Sequence, residues 1–211
     1  MFTILSIFTL ISAFLYFFGI KTKNQKLLYL HKPLTMLFII SLAVNGAATS
    51  WTAFAMWMII GLIFSLIGDV FLMLQSDRFL YGLVSFLLAH AFYMVAFLQF
   101  PSLGEGNYLL LAMLAVIALL FLHRLHKGVL AQGGKRLFFA VTFYILLISS
   151  MVWFSFLTFN PWMITAAILF YFSDAALAWD RFVKPLLFRS YIVMSTYFAA
   201  QYLFACTVYF H

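Results

Sequence analysis

The sequence predicts an all-α, polytopic membrane protein: one domain over residues 1–211, built as a bundle of eight transmembrane helices. Three observations carry that prediction. The chain is 67% hydrophobic and only 8% charged, whereas an ordinary soluble domain is about 45–50% apolar. Its apolar residues fall into runs close to the ~20 residues that an α-helix needs to cross a bilayer. All 12 Lys and Arg residues fall between or at the ends of those runs. So little sequence lies outside them that no soluble domain fits.

The first run, about 2–20, lacks a basic leader and a small-residue cleavage site, so it reads as a transmembrane helix and not a removable signal peptide. Lys21, Lys23, Lys26 and Lys32 follow it. The second run, about 34–50, opens behind Pro33, where the first turn of a helix tolerates proline. The third (52–74) and fourth (79–99) flank Arg78. The fifth, 107–123, is short and bordered by His123 and His126. Residues 124–136 carry Arg124, Lys127, Lys135 and Arg136 with Gly128, Gly133 and Gly134, and read as a flexible loop. The sixth run (137–158) meets the seventh (162–180) across Asn160-Pro161, a tight turn that makes an antiparallel hairpin. Arg181, Lys184 and Arg189 lead into the eighth run, 189–210.

The alternate loops, near 50–52, 100–107 and 159–161, carry no Lys or Arg, and neither do the termini. This is the positive-inside pattern. It predicts a multi-pass protein, of the inner membrane in a bacterium, with basic loops in the cytoplasm and both termini on the opposite side. The net charge of +7 then faces the anionic inner leaflet and leaves no nucleic-acid footprint. A single cysteine, Cys206, permits neither an internal disulfide nor a multi-thiolate metal site.

Polar residues inside these runs are the informative ones. Asp69 stands in FSLIGDVFLML and Asp174 in LFYFSDAALAW. A carboxylate there costs roughly 2.5–3.5 kcal/mol on insertion scales and needs a partner, a watered cavity or a proton. Neither has a basic residue within four positions, so the partner must come from another helix. Each precedes its helix end, near Gln75 and Asp180, by six residues, which puts both ~9 Å below the cytoplasmic boundary by helix rise. His90 lies deeper in the fourth run, with Tyr93 one turn on. Ser65 precedes Asp69 by one turn, and Ser173 adjoins Asp174. Tyr197 and Gln201 pair at i,i+4 in the last run. Each also has a plain alternative, as glue between helices or a hydroxyl bonded to its own helix. Asp77, Arg78, Asp180 and Arg181 mark helix ends. Arg181 falls seven residues after Asp174, on the same helix face, where a lipid phosphate could meet it.

The chain has no Gly-rich phosphate loop and no GxSxG elbow. His90 is the one deep histidine, with His31 and His211 at boundaries, so neither a metal nor a cofactor is expected. A metal on Asp69, His90 and Asp174 is the alternative, and His123 and His126, three apart, sit at the cytoplasmic end of the fifth run.

FSLIGDVFLM (64–73), YGLVSFLLAHAFY (81–93), FSDAALAWDRF (172–182), STYFAAQYLF (195–204) and the Lys32-Pro33 pair resemble the YhhN-like lysoplasmalogenase family, in order and over the whole chain. The resemblance implies an eight-helix hydrolase that cleaves the vinyl ether of a lysophospholipid to a fatty aldehyde and a glycerophospho-alcohol. It maps the family's acids onto Asp69 and Asp174 and its histidine onto His90. Vinyl ethers yield to acid: protonation of the β-carbon gives an oxocarbenium ion, water adds, and the hemiacetal collapses. Burial favours the neutral form of a carboxylic acid, and two close carboxylates titrate as a pair. The expectation is therefore Asp174 as proton donor and Asp69 as the carboxylate orienting water, with the roles exchangeable. His90 and Tyr93 would position that water, Lys32 and Arg181 would hold the phosphate, and Ser65, Ser173, Tyr197 and Gln201 would line the substrate site. The other readings are a proton-coupled transporter relaying protons through the two aspartates, and a protein whose polar core only fixes helix packing. Headgroup, natural substrate and oligomeric state are left open.

Overall fold

A computed structural model describes residues 1–48, 50–74, 78–100 and 104–210. Gln75 and Asp77, which mark the end of the third run, part of the 100–107 loop, and His211 lie outside them. The described chain forms seven helices, each long and apolar enough to cross a membrane: α1 (Phe2–Thr22), α2 (Gln25–Ala47), α3 (Ala53–Met73), α4 (Phe79–Leu98), α5 (Tyr108–Leu157), α6 (Pro161–Phe182) and α7 (Arg189–Tyr209).

The all-α class stands; the described residues form seven helices and not eight, because the expected fifth and sixth are joined without a loop, as two limbs of α5 that meet at a non-helical residue. α5 has 50 residues, about 75 Å of straight helix against a hydrocarbon core of about 30 Å. It is not straight. Gly134 has φ 60° and ψ −157°, a region open essentially to glycine alone, and there the chain reverses. The His126 and Phe138 rings lie 5.1 Å apart, where an unbroken helix would separate them by ~18 Å. Trp153 Nε1 donates to the Asn107 carbonyl at 3.1 Å, tying the two far ends of α5 together.

The loop expected over 124–136 is likewise helical except at Gly134. Glycine there serves close packing rather than flexibility: a Cβ on Gly128 would stand 1.8 Å from the Phe182 carbonyl oxygen of α6.

α2 starts nine residues earlier than the apolar run suggests. Asn24 caps it, its side chain accepting from the Lys26 and Leu27 amides, and Pro33 lies inside the helix instead of at its start. Lys32 is therefore held on a helical turn within the bundle and not on a loop at the rim. Asn160 caps α6 in the same way, with Pro161 in the first turn as the sequence predicts.

The bundle is apolar on its outer surface as well as in its core. Leu10, Phe14, Leu119, Leu120 and Phe139 are exposed in mid-helix, while Ser65, His90 and Gln201 are fully buried. Apolar side chains facing hydrocarbon cost nothing there, and polar ones must pair internally. α7 packs against α1, α2, α3 and α6. Phe2 stacks near Tyr209 and Phe210, at 4.8 and 5.0 Å, so the two chain ends emerge side by side.

Candidate active site

A cavity of about 270 Å³ opens among α1, α2, α3, α6 and α7, and both aspartates line it, with Lys32, Arg189, Tyr197 and Ser173. Asp69 shares its face of α3 with Leu72 and Met73, and Asp174 shares its face of α6 with Leu177. The i, i+3 and i+4 spacing of a helix turns these residues the same way. No hydrogen bond joins the two carboxylates; each has its own partners on other helices.

Asp69 is ion-paired. Lys32 Nζ from α2 lies 3.0 Å from Oδ1, and the Tyr197 hydroxyl from α7 donates to Oδ2 at 2.6 Å. The Lys32 side chain is 12% exposed and that of Asp69 3%, so the pair is largely withdrawn from water. Such a pair holds only while both partners are present.

Asp174 is held differently. The Tyr144 hydroxyl from α5 donates to its Oδ2, and His90 Nε2 from α4 stands 3.6 Å from the same oxygen. Among the described residues no Lys or Arg comes within ion-pairing distance of it. Neither ring nitrogen of His90 has a hydrogen bond of good geometry, the Phe86 carbonyl one turn earlier being its nearest backbone acceptor. The imidazole is packed edge-on against Phe170 and Tyr144 at 4.6 and 5.2 Å. An orphaned buried imidazole beside a carboxylate is costly and points to function.

Asp174 also lines a second, narrow space of about 50 Å³ whose other walls are almost wholly apolar, including Phe79, Leu83, Phe121, Ile145 and Ile148. Leu72, Phe86 and Leu177 border both spaces. Asp174 therefore stands where a polar, cation-bearing cavity abuts an apolar slot. Asp69 faces the polar side alone.

Of the residues singled out from sequence, Asp69, Asp174, Lys32, Ser173 and Tyr197 line the cavity, and His90 backs Asp174. Ser173 bonds across helices to the Val193 carbonyl of α7 at 3.0 Å, not to its own helix. Three others lie elsewhere. The Tyr93 hydroxyl donates to Gln201 Oε1 at 2.7 Å and lies 3.2 Å from Ser65 Oγ. This buried Ser65–Tyr93–Gln201 chain ties α3, α4 and α7 together; none of the three lines the cavity, and Gln201 adjoins Tyr197, which does. Arg181 also lies away from the cavity, with its guanidinium 3.9 Å over the Phe79 ring. A seven-residue step returns to the same helix face but advances ~10 Å along the axis, beyond the cavity. Arg189 occupies the position expected for Arg181. It lines the cavity, is 46% exposed, and pairs with Asp180 at 3.0 Å.

Sequence reasoning missed Tyr144 and Arg189. Arg189 was visible as the last member of a basic cluster. Tyr144 sits thirty residues from Asp174 in a run whose other polar residues are only Thr and Ser, and only the α5–α6 packing brings it in. His31, read as a boundary residue, is buried and pairs with Ser12 of α1 at 3.2 Å. Among the described residues no three potential metal ligands converge.

A model of the YhhN family matches residues 27–208. Lysoplasmalogenase TMEM86B of Mus musculus is 37% identical over 171 residues, covering 80% of this chain and 67% of the relative. Lysoplasmalogenase TMEM86A of Bos taurus is 33% identical, covering 69% of this chain and 62% of the relative. The Homo sapiens TMEM86A lysoplasmalogenase is 32% identical with the same two coverages. The chain thus spans about two thirds of the length of the curated relatives it matches. No solved structure matches it.

Proposed function

The chain belongs to the YhhN family, and from that premise we propose that it is an integral-membrane lysoplasmalogenase, hydrolysing the vinyl ether of a lysophospholipid. The observation that carries this reading is the position of Asp174 on the shared wall of a polar cavity and an apolar slot. A lysoplasmalogen has one polar end and one apolar tail, and its scissile bond lies where they join. With the head in the cavity and the first carbons of the tail entering the slot, that bond meets Asp174.

The chemistry follows from the two surroundings. Asp174, with no cation beside it, is the proton donor. Tyr144 holds Oδ2, which leaves Oδ1 to deliver the proton to the β-carbon of the vinyl ether. Positive charge then spreads over the α-carbon and the ether oxygen. The new Asp174 carboxylate and the Asp69 anion, fixed by Lys32 and Tyr197, stabilise it electrostatically. Water adds to the α-carbon and returns its proton to Asp174. The hemiacetal then breaks to a fatty aldehyde and a free glycerol hydroxyl, with one water consumed. His90 Nε2, 3.6 Å from Asp174 Oδ2, closes on that oxygen when substrate fills the site, as catalytic contacts often tighten only in the complex. Arg189 at the cavity and Lys32 within it give the headgroup phosphate its cations.

A proton-relay transporter is not supported. Both acids sit on unbroken helices, α3 and α6, without the discontinuous helices of such transporters, and the relatives carry hydrolase names. The basic clusters favour a cytoplasmic mouth for the cavity, and the adjacent chain ends fit both termini on the other side.

Detergent-purified protein incubated with a lysoplasmalogen is expected to release fatty aldehyde, and folded Asp174→Asn and Asp69→Asn proteins are not. Folded wild type giving no aldehyde overturns the proposal.

A further inference from the structure

A third hollow, of about 470 Å³, lies at the Gly134 bend of α5, between the start of α4 and the end of α6. It shares no lining residue with the polar cavity, and only Phe79 with the apolar slot. Arg136, Arg181 and the Gln132 amide line it, with Leu80 and Leu137 as apolar walls and no acid among its described lining residues.

The fold builds this hollow deliberately. The reversal at Gly134 puts Arg136, on the returning limb of α5, opposite Gln132 and Gly133 on the outgoing limb. Gln132 Nε2 donates to the Arg181 carbonyl at 2.7 Å, fixing the end of α6 against α5. The Phe79 ring under Arg181 sets the plane of its guanidinium. Planar guanidiniums recognise phosphate oxygens through paired hydrogen bonds. Leu80, 48% exposed, and Leu137 provide a surface that an inorganic anion could not use and an acyl stem could. Basic hollows between the cytoplasmic ends of membrane helices suit anionic headgroups.

We propose that this hollow binds the phosphate of an anionic membrane phospholipid, held by Arg136 and Arg181, as a lipid site distinct from the hydrolytic cavity. It braces the α5 bend against α6. It does not depend on the hydrolase reading, because binding is measured without turnover.

The test is the unfolding temperature of the detergent-purified full chain with added phosphatidylglycerol, phosphatidylcholine or sodium phosphate. Phosphatidylglycerol is expected to raise it by at least about twice the phosphatidylcholine shift, through preferential binding to the folded state, and sodium phosphate is expected to give little. Arg136→Gln, an exposed position where folding is not at stake, should remove about half or more of the excess, and the Arg136→Gln/Arg181→Gln pair nearly all of it. Removing two charges elsewhere, with Lys21→Gln/Lys23→Gln, should leave the excess intact. Equal shifts from the two lipids, an undiminished excess in Arg136→Gln, or an equal loss from the Lys21/Lys23 variant would overturn the site. Sodium phosphate reproducing the full shift would overturn its assignment to a lipid.

Discussion

Asp69 on α3 meets Lys32 and the Tyr197 hydroxyl, whereas Asp174 on α6 meets Tyr144, the edge of His90 and an apolar slot. The two residues are of one type and in similar apolar runs, though Asp69 lies four residues before the end of α3 and Asp174 eight before the end of α6. What separates them is the helix that packs alongside: α2 brings an ammonium to Asp69, and α5 brings a phenol to Asp174. In the proposed mechanism the same side chain serves as an anion in one place and a proton carrier in the other. In a low-dielectric interior the neighbour sets the charge state, because an uncompensated ion there is expensive.

The sharpest way to break this contrast is at Asp174. Asp174→Asn should lower aldehyde release by about 10²–10⁴-fold, the usual worth of a positioned general acid, while the unfolding midpoint hardly moves. A variant retaining a tenth of the wild-type rate would transfer the proton to another group. Next in size is the ion pair. Lys32→Met leaves Asp69 buried without its cation and should cost about 3 kcal/mol of stability, read from unfolding in detergent. Adding Asp69→Asn should restore part of that loss, and the double-mutant cycle gives the coupling. Additive losses would mean that the pair is not an electrostatic unit.

Tyr144→Phe should be milder. Losing one hydrogen bond to the proton donor, worth about 1–2 kcal/mol, should lower kcat roughly tenfold with KM little changed. A rise in KM alone would make Tyr144 part of the tail slot and not a holder of Asp174. The smallest effect concerns the third polar group. Tyr93→Phe leaves Gln201 Oε1 without its donor and should cost about 1 kcal/mol in stability, with turnover within about a factor of two. A large loss of turnover would show that the Ser65–Tyr93–Gln201 chain communicates with the cavity.

The contrast also shows why some residues were legible in the sequence and others were not. Intramembrane acids and a deep histidine stand out against apolar neighbours, so Asp69, Asp174 and His90 could be selected by insertion cost alone. Tyr93 and Gln201 stand out in the same way but bond each other outside the cavity lining, since a polar residue in hydrocarbon needs a partner whatever its role. Lys32 was visible as a basic residue, but as one at a rim. Asn24 starts α2 early enough to carry it inside, a capping effect that hydropathy does not register. Arg181 and Arg189 were equally basic, and the depth along α6 and α7 decided between them.

Composition and charge spacing alone determined that this chain is a multi-pass helical membrane protein, placed its apolar spans to within a few residues at most ends, and identified the acids that needed an explanation. Those properties are local sums, of transfer free energy and of charge along a strand of sequence, and require no knowledge of neighbours. The tertiary structure decided the rest. It turned the chain at Gly134 within one long helix, because only glycine's backbone freedom permits that reversal and only packing requires it there. It brought Tyr144 to Asp174 across thirty residues and Lys32 to Asp69 across thirty-seven, and it set Asp174 on the wall between a polar and an apolar space. Each of these depends on which helix faces which, a choice made by the close fit of side chains across the bundle and by no single residue within it.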